Sequence, residues 1–237
     1  MIGCACPVCR SGNPRNRRFR PSIAVSSPSG AILVDTTPEL RLQALAFGLT
    51  QVDAVLYTHS HADHLFGLDD VRRYNDISGR ELPIYADEQT LADIRRAFNY
   101  VFRKTQAGGG KPRLTLHPVE SRFRLCDIDI RPLTVRHGKL SILAYRFDNF
   151  AYVTDVNYIP PTTMEQLRGL DTLLLDAVRF KPHSTHFGLF QALEVISELR
   201  PKRAYLTHLS HQFDHDAANA VLPAGVCLAY DGLTIDI

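Results

Sequence analysis

The chain has 237 residues and a formal net charge of +2, with 45% hydrophobic and 22% charged residues. This composition is typical of a globular protein, and the length suits one large α/β domain. So small a net charge gives no electrostatic argument for nucleic acid or a membrane as partner. The sequence contains no bilayer-length apolar run and no secretory leader pattern. We therefore expect one cytoplasmic domain over residues 1–237.

Short apolar runs rich in β-branched residues recur along the chain and predict strands. These runs are residues 22–26, 31–34, 52–58, 128–135, 142–147, 151–154, 172–175 and 203–207. At the C-terminus, residues 226–230 and 233–237 flank Asp231-Gly232. That dipeptide suits a two-residue turn, so the C-terminal residues predict a β-hairpin.

Three segments predict helices. Pro38 can open a helix that carries Leu42 and Leu45, residues 91–102 form a second candidate, and helical spacing of apolar residues predicts a third over residues 189–199. The glycine-rich residues 106–110 follow the second candidate and are expected to be mobile. Because strands precede helices in each half of the chain, we expect two sheets covered by helices.

A dense set of metal-binding residue types follows the strand predicted at residues 52–58. It is His59-Ser60-His61-Ala62-Asp63-His64. In an extended backbone His59 and His61 can point the same way, whereas Asp63 and His64 can diverge towards a second ion. Imidazole and carboxylate together suit zinc, manganese or iron. The alternative, a polar loop that is merely rich in histidine, is disfavoured by this density.

Further candidate ligands stand at or just beyond the ends of other predicted strands. They are Asp35, His137, Asp155, Asp176 and His208. Residues in this position are held by a rigid scaffold and stay open to substrate. A single aspartate after a strand would more simply be a turn residue. The recurrence at several strand ends favours one shared site.

These motifs resemble the metallo-β-lactamase superfamily, whose His-x-His-x-Asp-His motif is matched in full. The resemblance implies an α/β fold, a four-layer αββα sandwich, with two divalent ions (Mn²⁺ or Zn²⁺) at one edge. The resemblance implies that His59, His61 and His137 bind the first ion. It implies that Asp63, His64 and His208 bind the second ion and that Asp155 bridges both.

The resemblance also assigns residues that surround the ligands. Asp35 stands in Asp35-Thr36-Thr37, which is similar to the Asp-Thr-Gly segment of the family, and would orient a ligand histidine. Thr37 replaces the family glycine, which leaves the geometry of this turn open. Asp176 and His183 are expected around the ligands, His183 as a support or a phosphate contact.

A second metal site is predicted near the N-terminus. The relevant residues are Cys4, Cys6 and Cys9 and two spaced histidine pairs, His183 with His186 and His208 with His211. This pattern resembles the PhnP-like cyclic phosphodiesterase branch of the superfamily, from the carbon–phosphorus lyase pathway. This branch implies a structural zinc bound by the three cysteines and His211, a closed tetrahedral set. His215 is a weaker candidate for the fourth ligand.

Two more expectations concern the N-terminal strand and the remaining cysteines. Relatives begin with an extra strand before the cysteines, so we expect this sandwich to lack its first N-terminal strand. Cys126 and Cys227 stand among apolar neighbours, which predicts buried thiols.

The branch implies hydrolysis of a small cyclic phosphodiester such as 5-phosphoribosyl 1,2-cyclic phosphate. Two ions about 3.5–4 Å apart can share a bridging hydroxide that attacks phosphorus. His186 matches the catalytic histidine of the branch and is the candidate proton donor, the alternative being a polar residue at a helix start with no catalytic role. The expected partner is the small-molecule substrate, with no membrane and with a homodimer left open.

Two other functions remain open at this stage. A ribonuclease Z-like phosphodiesterase could use the basic run Arg10, Arg15, Arg17, Arg18 and Arg20 to contact RNA phosphates. A solvated loop explains this run better, and no inserted arm for gripping tRNA is evident, so nucleic acid is disfavoured. The other alternative is a non-enzymatic, zinc-stabilised biosynthetic accessory protein.

Overall fold

A computed structural model describes residues 1–104 and 110–237. These residues form two compact units, one of Arg20–Pro132 and the other of Met1–Phe19 with Leu133–Ile237. The glycine-rich stretch predicted to be mobile, residues 106–110, lies outside the described residues except for Gly110. The single domain over residues 1–237 stays a prediction.

The unit Arg20–Pro132 is built on a five-stranded mixed sheet with strand order β1-β2-β3-β4-β5. The first two strands form an antiparallel hairpin, and the remaining neighbours are parallel. Its elements are β1 (Ile23–Ser27), β2 (Gly30–Val34), α1 (Leu40–Phe47), β3 (Ala54–Leu56), α2 (Ala62–Leu65), a 3-10 turn (Leu68–Val71), α3 (Arg72–Ser78), β4 (Leu82–Ala86), α4 (Glu88–Ala97), α5 (Asn99–Phe102), β5 (Leu114–Pro118), β6 (Phe123–Leu125) and the start of β7 (Ile128–His137).

The centre of this sheet is apolar, and one of its helices becomes important for the site. Strands β2 and β3 are buried along their whole length, as is usual for parallel strands. Helix α4 packs Leu91 and Ile94 into the same core. Its N-cap is Asp87, whose carboxylate accepts a hydrogen bond from the Thr90 backbone N–H at 2.7 Å. The opposite face of α4 is left for polar residues.

The second unit has a mixed sheet in which the strands lie in the order β12-β11-β10-β9-β8-β7. Strands β9 to β12 are parallel neighbours, whereas β8 and β9 form an antiparallel hairpin. Besides the end of β7 and a 3-10 turn (Pro14–Asn16), its elements are β8 (Leu140–Phe147), β9 (Phe150–Val153), α6 (Pro161–Gln166), β10 (Thr172–Asp176), α7 (Leu189–Leu199), β11 (Arg203–Thr207), α8 (His215–Asn219) and β12 (Val226–Leu228).

Helix α7 and the parallel strands form the core of the second unit. Its apolar residues Leu189, Ala192, Ile196 and Leu199 are buried, so the helix predicted over residues 189–199 is confirmed with its apolar face. In the registers of β9, β10 and β11, Val153 pairs with Leu175 and Asp176 with Thr207. The C-terminal ends of the three strands therefore meet at one edge of the sheet.

The predicted α/β class is confirmed, with two mixed sheets, and each predicted strand outside the C-terminus agrees within two residues at either end. Strands β4, β5 and β6 were not predicted. The helix predicted over residues 91–102 is divided at Phe98 into α4 and α5. In the part of the chain that the structure describes, no helix has the length and apolar character that a membrane span requires.

The predicted C-terminal hairpin is wrong. Only β12 forms, and it pairs in parallel with β11 rather than with residues 233–237. The carboxylate of Asp231 accepts a hydrogen bond from the Phe19 backbone N–H at 2.7 Å, so this turn contacts the N-terminal segment instead of closing a hairpin. The prediction of a buried Cys227 is also wrong, because it stands on the outward face of this edge strand, while Cys126 is half-buried.

Candidate functional site

The histidine-rich motif follows β3 and runs into the short helix α2. The ring centroid of His59 lies 4.5 Å from that of His61 and 4.4 Å from that of His64. Asp63 Oδ2 lies 3.6 Å from His64 Nε2. His59 and His64 are buried, Asp63 is half-buried and His61 is exposed. The extended residues before α2 and its first turn thus gather four metal-binding side chains on one short segment.

Asp35 connects the end of β2 to this motif. Its Oδ2 accepts hydrogen bonds from His64 Nδ1 at 2.8 Å and from the Thr58 hydroxyl at 2.9 Å, and its Oδ1 accepts one from the Thr58 backbone N–H at 2.9 Å. Burial raises the pKa of Asp35, while His64 and Thr58 oppose the rise. A carboxylate held by these donors fixes the tautomer of His64 and makes Nε2 the nitrogen that can bind a metal.

The Thr58 hydroxyl fixes His59 in the same way. Because its hydrogen is donated to Asp35, its oxygen accepts a hydrogen bond from His59 Nδ1 at 3.0 Å. The lone pair of His59 is then on Nε2. A buried contact of 2.6 Å between the hydroxyls of Tyr57 and Thr36 lies beside this network. Polar side chains of the core thus orient two of the four candidate ligands.

The turn between Asp35 and α1 accommodates Thr37 at the family glycine position. The left-handed residue of this turn is Asp35, with φ 63°, so Thr37 needs no positive φ. The Thr37 hydroxyl donates to Gln43 Oε1 at 2.8 Å. The backbone of Thr37 lies close to Gly67 instead, because a Cβ atom at position 67 would lie 2.0 Å from the Thr37 carbonyl oxygen. A glycine is therefore required at 67 rather than at 37.

Another set of metal-binding side chains lies at the strand ends of the second unit. β7 ends at His137, and β9 and β11 are followed by Asp155 and His208. The ligand atoms of His137, Asp155 and His186 lie within 4.8 Å of one another. His208 Nε2 lies 3.5 Å from Asp155 Oδ2. His137 Nδ1 donates to the Thr185 carbonyl at 2.7 Å, which again makes Nε2 the nitrogen for a metal.

Asp176, at the end of β10, holds His186. Its Oδ2 accepts hydrogen bonds from His186 Nδ1 at 3.0 Å and from the Val156 backbone N–H at 3.1 Å. Burial raises the pKa of Asp176, and the hydrogen bond from His186 opposes the rise. The His186 ring centroid lies 4.7 Å from those of His137 and His208. An imidazole held by a carboxylate at Nδ1 is well placed to exchange a proton at Nε2.

Three of these residues have a left-handed backbone. The φ angles are 63° for Asp35, 55° for Asp155 and 57° for His208. For residues other than glycine this region costs about 1–3 kcal/mol each and persists where the surrounding structure enforces it, often at functional sites. All three follow a strand directly or by one residue, and each is a candidate ligand or supports one. Outside this set, Cys126, Asp127, Asp148 and Arg200 also have a left-handed backbone.

The N-terminal cysteines form a separate group in the second unit. The ligand atoms of Cys4, Cys6, Cys9 and His211 lie within 4.8 Å of one another. The Sγ atoms of Cys4 and Cys6 lie 3.5 Å and 3.4 Å from His211 Nδ1. Tetrahedral zinc with ordinary Zn–S and Zn–N bond lengths would separate such atoms by about 3.6 Å. The hydrogen bond with His211 lowers the pKa of Cys6 to about 6, which favours the thiolate that zinc binds.

The remaining predicted site residues lie beside these groups. His183 Nδ1 accepts a hydrogen bond from the Thr185 backbone N–H at 3.3 Å, and its ring lies 5.2 Å from that of His186. Burial lowers the pKa of His183. His183 therefore supports the loop that carries His186 and Thr185. The cysteine group contains His211 rather than His215, the weaker candidate for the fourth ligand.

Several residues that support the candidate ligands were not predicted from the sequence. Thr58 is one, and Thr154, whose hydroxyl donates to Asp155 Oδ1 at 2.7 Å, is another. A threonine directly before a candidate ligand recurs at residues 58, 154 and 207, and this repetition could have revealed them. Asp93 was also missed; it accepts a hydrogen bond from the Ser60 hydroxyl at 2.6 Å, and no local pattern marks it.

The two donor sets fit different metals. Imidazole Nε2 atoms with carboxylates, as in the histidine motif and at the strand ends of the second unit, suit divalent zinc, manganese or iron. Three thiolates with one imidazole suit zinc in a closed site. The assignment of individual ligands to individual ions stays a prediction.

Comparisons with known proteins agree with this chemistry. Residues 31–209 match the family model described as a beta-lactamase superfamily domain. An octanoyltransferase of Porphyromonas gingivalis is 37% identical over 98% of this chain, and the chain spans 48% of that relative, about half its length. A ribonuclease Z of Methanopyrus kandleri is 27% identical, with 94% of each chain covered.

The solved structures include a diphosphatase from the PhnP family. It is 43% identical to this chain, covers 98% of it with a TM-score of 0.92, and has 89% of its own length covered. At 43% identity this chain and that structure are similar in sequence as well as in fold.

Proposed function

The chain belongs to the metallo-β-lactamase superfamily of hydrolases, with a PhnP-family structure as neighbour, and on this premise we propose that it is a metal-dependent phosphodiesterase acting on a small substrate. The resemblance predicted from the sequence is thereby confirmed, as is the sandwich fold class. The hydrolases among its relatives weigh against the non-enzymatic accessory protein. The finer substrate, a cyclic phosphodiester such as 5-phosphoribosyl 1,2-cyclic phosphate, is part of the proposal.

One observation carries it: the Nδ1 atoms of His59, His64 and His137 each donate to an oxygen at 2.7–3.0 Å. This common tautomer prepares Nε2 for a metal. In the proposal His59, His61 and His137 would hold one divalent ion, Mn²⁺ or Zn²⁺. Asp63, His64 and His208 would hold the other, and Asp155 would be shared between them. The number and identity of these ions belong to the proposal, as does the zinc on Cys4, Cys6, Cys9 and His211.

When bound, the pair of divalent cations would activate water and neutralise charge on the phosphoryl oxygens. The residues of the chain have their own tasks. Asp35 keeps His64 in the binding tautomer. His186 gives a proton from Nε2 to the leaving oxygen, and Asp176 stabilises the protonated ring through Nδ1. The side-chain set thus contains a support for the metals and a proton donor, which are what the cleavage of a phosphodiester with a poor leaving group needs.

The test is hydrolysis followed by phosphorus NMR with manganese- or zinc-loaded protein. The panel contains 5-phosphoribosyl 1,2-cyclic phosphate, a nucleoside diphosphate ester and a short RNA. An octanoyl thioester is assayed separately by the release of its thiol. Metal-stripped protein and the His59→Ala variant are the controls. We expect opening of the cyclic diester at least about 1,000-fold faster than with either control, since two-metal catalysis is lost in both. No phosphoester turnover by protein shown to hold its metals would reject the proposal.

RNA is the second candidate substrate, because the ribonuclease Z relative matches over 94% of both chains. Cleavage of RNA with little action on the cyclic diester would favour it. The thioester is included because of the octanoyltransferase relative, of which the chain spans 48%. A cytoplasmic location, the absence of a membrane partner and a homodimer remain predictions.

A further inference from the structure

His186, the proton donor of the proposed function, stands on a loop. Residues 177–188 connect β10 to α7, all of them are described, and none belongs to a helix or strand named above. A segment of this kind is usually more mobile than the elements that it connects. Proton transfer needs the donor within hydrogen-bond reach of the leaving oxygen, so contacts from outside the loop have to hold His186 in place.

Contacts from the ends of two strands hold the loop at successive residues. The Thr185 carbonyl accepts a hydrogen bond from His137 Nδ1 at 2.7 Å, and His186 Nδ1 donates to Asp176 Oδ2 at 3.0 Å. His137 and Asp176 are the last residues of β7 and β10, so their backbones are fixed by the sheet. Both hydrogen bonds already have a part in the proposed site, one for a candidate ligand and one for the donor ring.

Asn157 supplies the contact at the preceding residue of the loop. Its Nδ2 donates to the Ser184 carbonyl at 3.0 Å, and its Oδ1 accepts a hydrogen bond from the Gly138 backbone N–H at 2.7 Å. A carbonyl oxygen only accepts and a backbone N–H only donates, so these two partners fix which end of the amide faces which. Asn157 therefore joins the turn after β7 to the loop of His186, which a carboxylate of the same shape cannot do at both ends.

The turn after β7 and the loop also lie in direct contact. Gly138 has a left-handed backbone, with φ 61°, and a Cβ atom there would lie 2.9 Å from Thr185 Cγ2. Further along the loop, the Phe187 backbone N–H donates to the Val156 carbonyl at 2.6 Å. A backbone hydrogen bond thus holds the loop beyond the proton donor, whereas the residues before the donor depend on side chains, Asn157 among them.

We propose that Asn157 is a positioning residue for the proton donor His186. It holds Ser184 and the turn at Gly138 together, so that the two residues after Ser184 keep their hydrogen bonds to the strand ends. The inference rests on the proposed function and deepens it, because it adds to the site a side chain that acts on the reaction through the loop alone. Loss of Asn157 should therefore free the donor without removing a candidate metal ligand.

Two variants of Asn157 and one control test the inference. Asn157→Ala removes both hydrogen bonds of the amide. Asn157→Asp keeps an acceptor for the Gly138 N–H but has no donor for the Ser184 carbonyl, so it frees the loop and leaves the turn. Asn149→Ala is the matched control, because Asn149 is exposed in the turn between β8 and β9 of the same unit, and its side chain has no hydrogen bond among the described residues.

The kinetic test compares Asn157→Ala alone and in a His186→Ala background. We expect Asn157→Ala to lower kcat about 10-fold on a diester with an alkoxide leaving group, with KM within about 2-fold, and to act less on one that releases p-nitrophenolate. In the His186→Ala background the same change should cost less than about 2-fold, since Asn157 acts through the residue that is already absent. Losses that add in the double variant, or equal losses on both leaving groups, would overturn the inference.

Backbone dynamics test the inference independently of turnover. In zinc-loaded wild type, the NMR order parameters of residues 184–186 should lie in the rigid range, about 0.85, and in both Asn157 variants they should fall towards the flexible range, below about 0.6. Gly138 should stay rigid in Asn157→Asp, and Asn149→Ala should leave all of these residues rigid. Where no diester is hydrolysed, this result supports the role of Asn157 in the loop and rejects the proposed function alone. Unchanged order parameters in both Asn157 variants overturn the inference, whatever the turnover.

Discussion

At the scale of the residue, Asp35 combines full burial, a left-handed backbone and hydrogen bonds from His64 and Thr58. Because it holds His64 through Nδ1, loss of its charge should weaken metal binding. We expect Asp35→Asn to lower the affinity for an active-site ion by about 10- to 100-fold. Asparagine tolerates positive φ, so the backbone of the turn should be retained.

The affinity is measured by competition with a chelator of known strength. Asp53→Asn is the control, because Asp53 lies in the same unit and accepts hydrogen bonds from Arg80 and the Ala31 backbone instead of a histidine. Equal affinities in wild type and Asp35→Asn would show that His64 does not depend on this carboxylate. An equal loss in Asp53→Asn would point to a general loosening of the unit.

His186 yields a sharper prediction, because a proton donor matters only when the leaving group needs a proton. We expect His186→Ala to reduce kcat about 100-fold or more on a diester with an alkoxide leaving group, and far less on one that releases p-nitrophenolate. Asp176→Asn should show the same dependence more weakly, since it removes the partner of Nδ1.

The matched control for His186 is His117→Ala, which removes an exposed histidine bonded only to Thr115 among the described residues. It should leave both substrates unaffected. Equal losses on both leaving groups in His186→Ala would instead assign His186 to binding or to the support of the metals. Kinetics at saturating substrate distinguish these roles, because proton transfer affects kcat.

The candidate ligands could be predicted from the sequence because each stands in or next to a local pattern. His59 and His61 are two residues apart after an apolar strand, and Asp155 and His208 follow strands with strong β propensity. Their supports could not be predicted, because the partners are distant in the chain. His137 and Thr185 are 48 residues apart, and Ser60 and Asp93 are 33 apart.

At the scale of the element, most strands were predictable, whereas β4, β5 and β6 were missed and the pairing of the strands was not predicted. Periodicity places β9, β10 and β11, yet only the parallel register brings Asp155, Asp176 and His208 to one edge. The C-terminal residues show the limit of local patterns. The dipeptide Asp231-Gly232 favours a hairpin by propensity, but the Asp231 carboxylate accepts a hydrogen bond from the Phe19 backbone N–H. A tertiary hydrogen bond has replaced the turn that the dipeptide alone would favour.

Helix α8 makes stability depend on pH through His215. Burial lowers the pKa of His215 below its usual 6.5, with Arg15 and Arg18 lowering it further and Asp214 and Asp216 opposing them. As pH falls below 6.5, the unfolded chain takes up this proton and the folded chain does not, so stability is lost from 6.5 down to the folded-state pKa. At higher pH both states are neutral and the effect vanishes.

We therefore expect His215→Phe, which keeps a ring against Tyr230, to flatten the fall in Tm on acidification. Relative to its own value at pH 7.5, the variant should lose about 1–3 °C less than wild type at pH 5.5. Thermal unfolding of the metal-loaded proteins measures this difference, and metal release affects both equally. Parallel pH profiles would show that His215 accepts a proton as readily in the folded state as in the unfolded state.

At the scale of the whole molecule, the N-terminal segment depends on polar contacts with the C-terminal third of the chain. Arg18 Nη2 donates to the Phe213 carbonyl at 2.9 Å, and Asn16 Nδ2 donates to Asp214 Oδ2 at 2.7 Å. Residues 1–19 contain no strand and no buried residue, so their apolar core contribution is small. A zinc on the cysteines and His211 would therefore be a main stabiliser of this segment.

Metal removal should accordingly occur in two stages. The active-site ions are expected to be exchangeable, because catalytic sites keep open coordination positions, whereas a closed set of three thiolates and one imidazole releases zinc slowly. We expect a chelator at neutral pH to remove about two ions per chain and abolish turnover, while a third ion remains until the thiols are modified or the chain unfolds. Elemental analysis, activity and circular dichroism follow the stages.

The variant Cys6→Ser isolates the second stage. It should lose one zinc per chain and lower the Tm by several degrees, since folding and metal binding are coupled in this segment. The two active-site ions and turnover at low temperature should largely persist. Cys227→Ser is the matched control, because that cysteine is exposed on an edge strand outside the group of ligands. Full zinc content in Cys6→Ser, or one-step loss of all ions from wild type, would mean that the cysteines do not form an independent metal site.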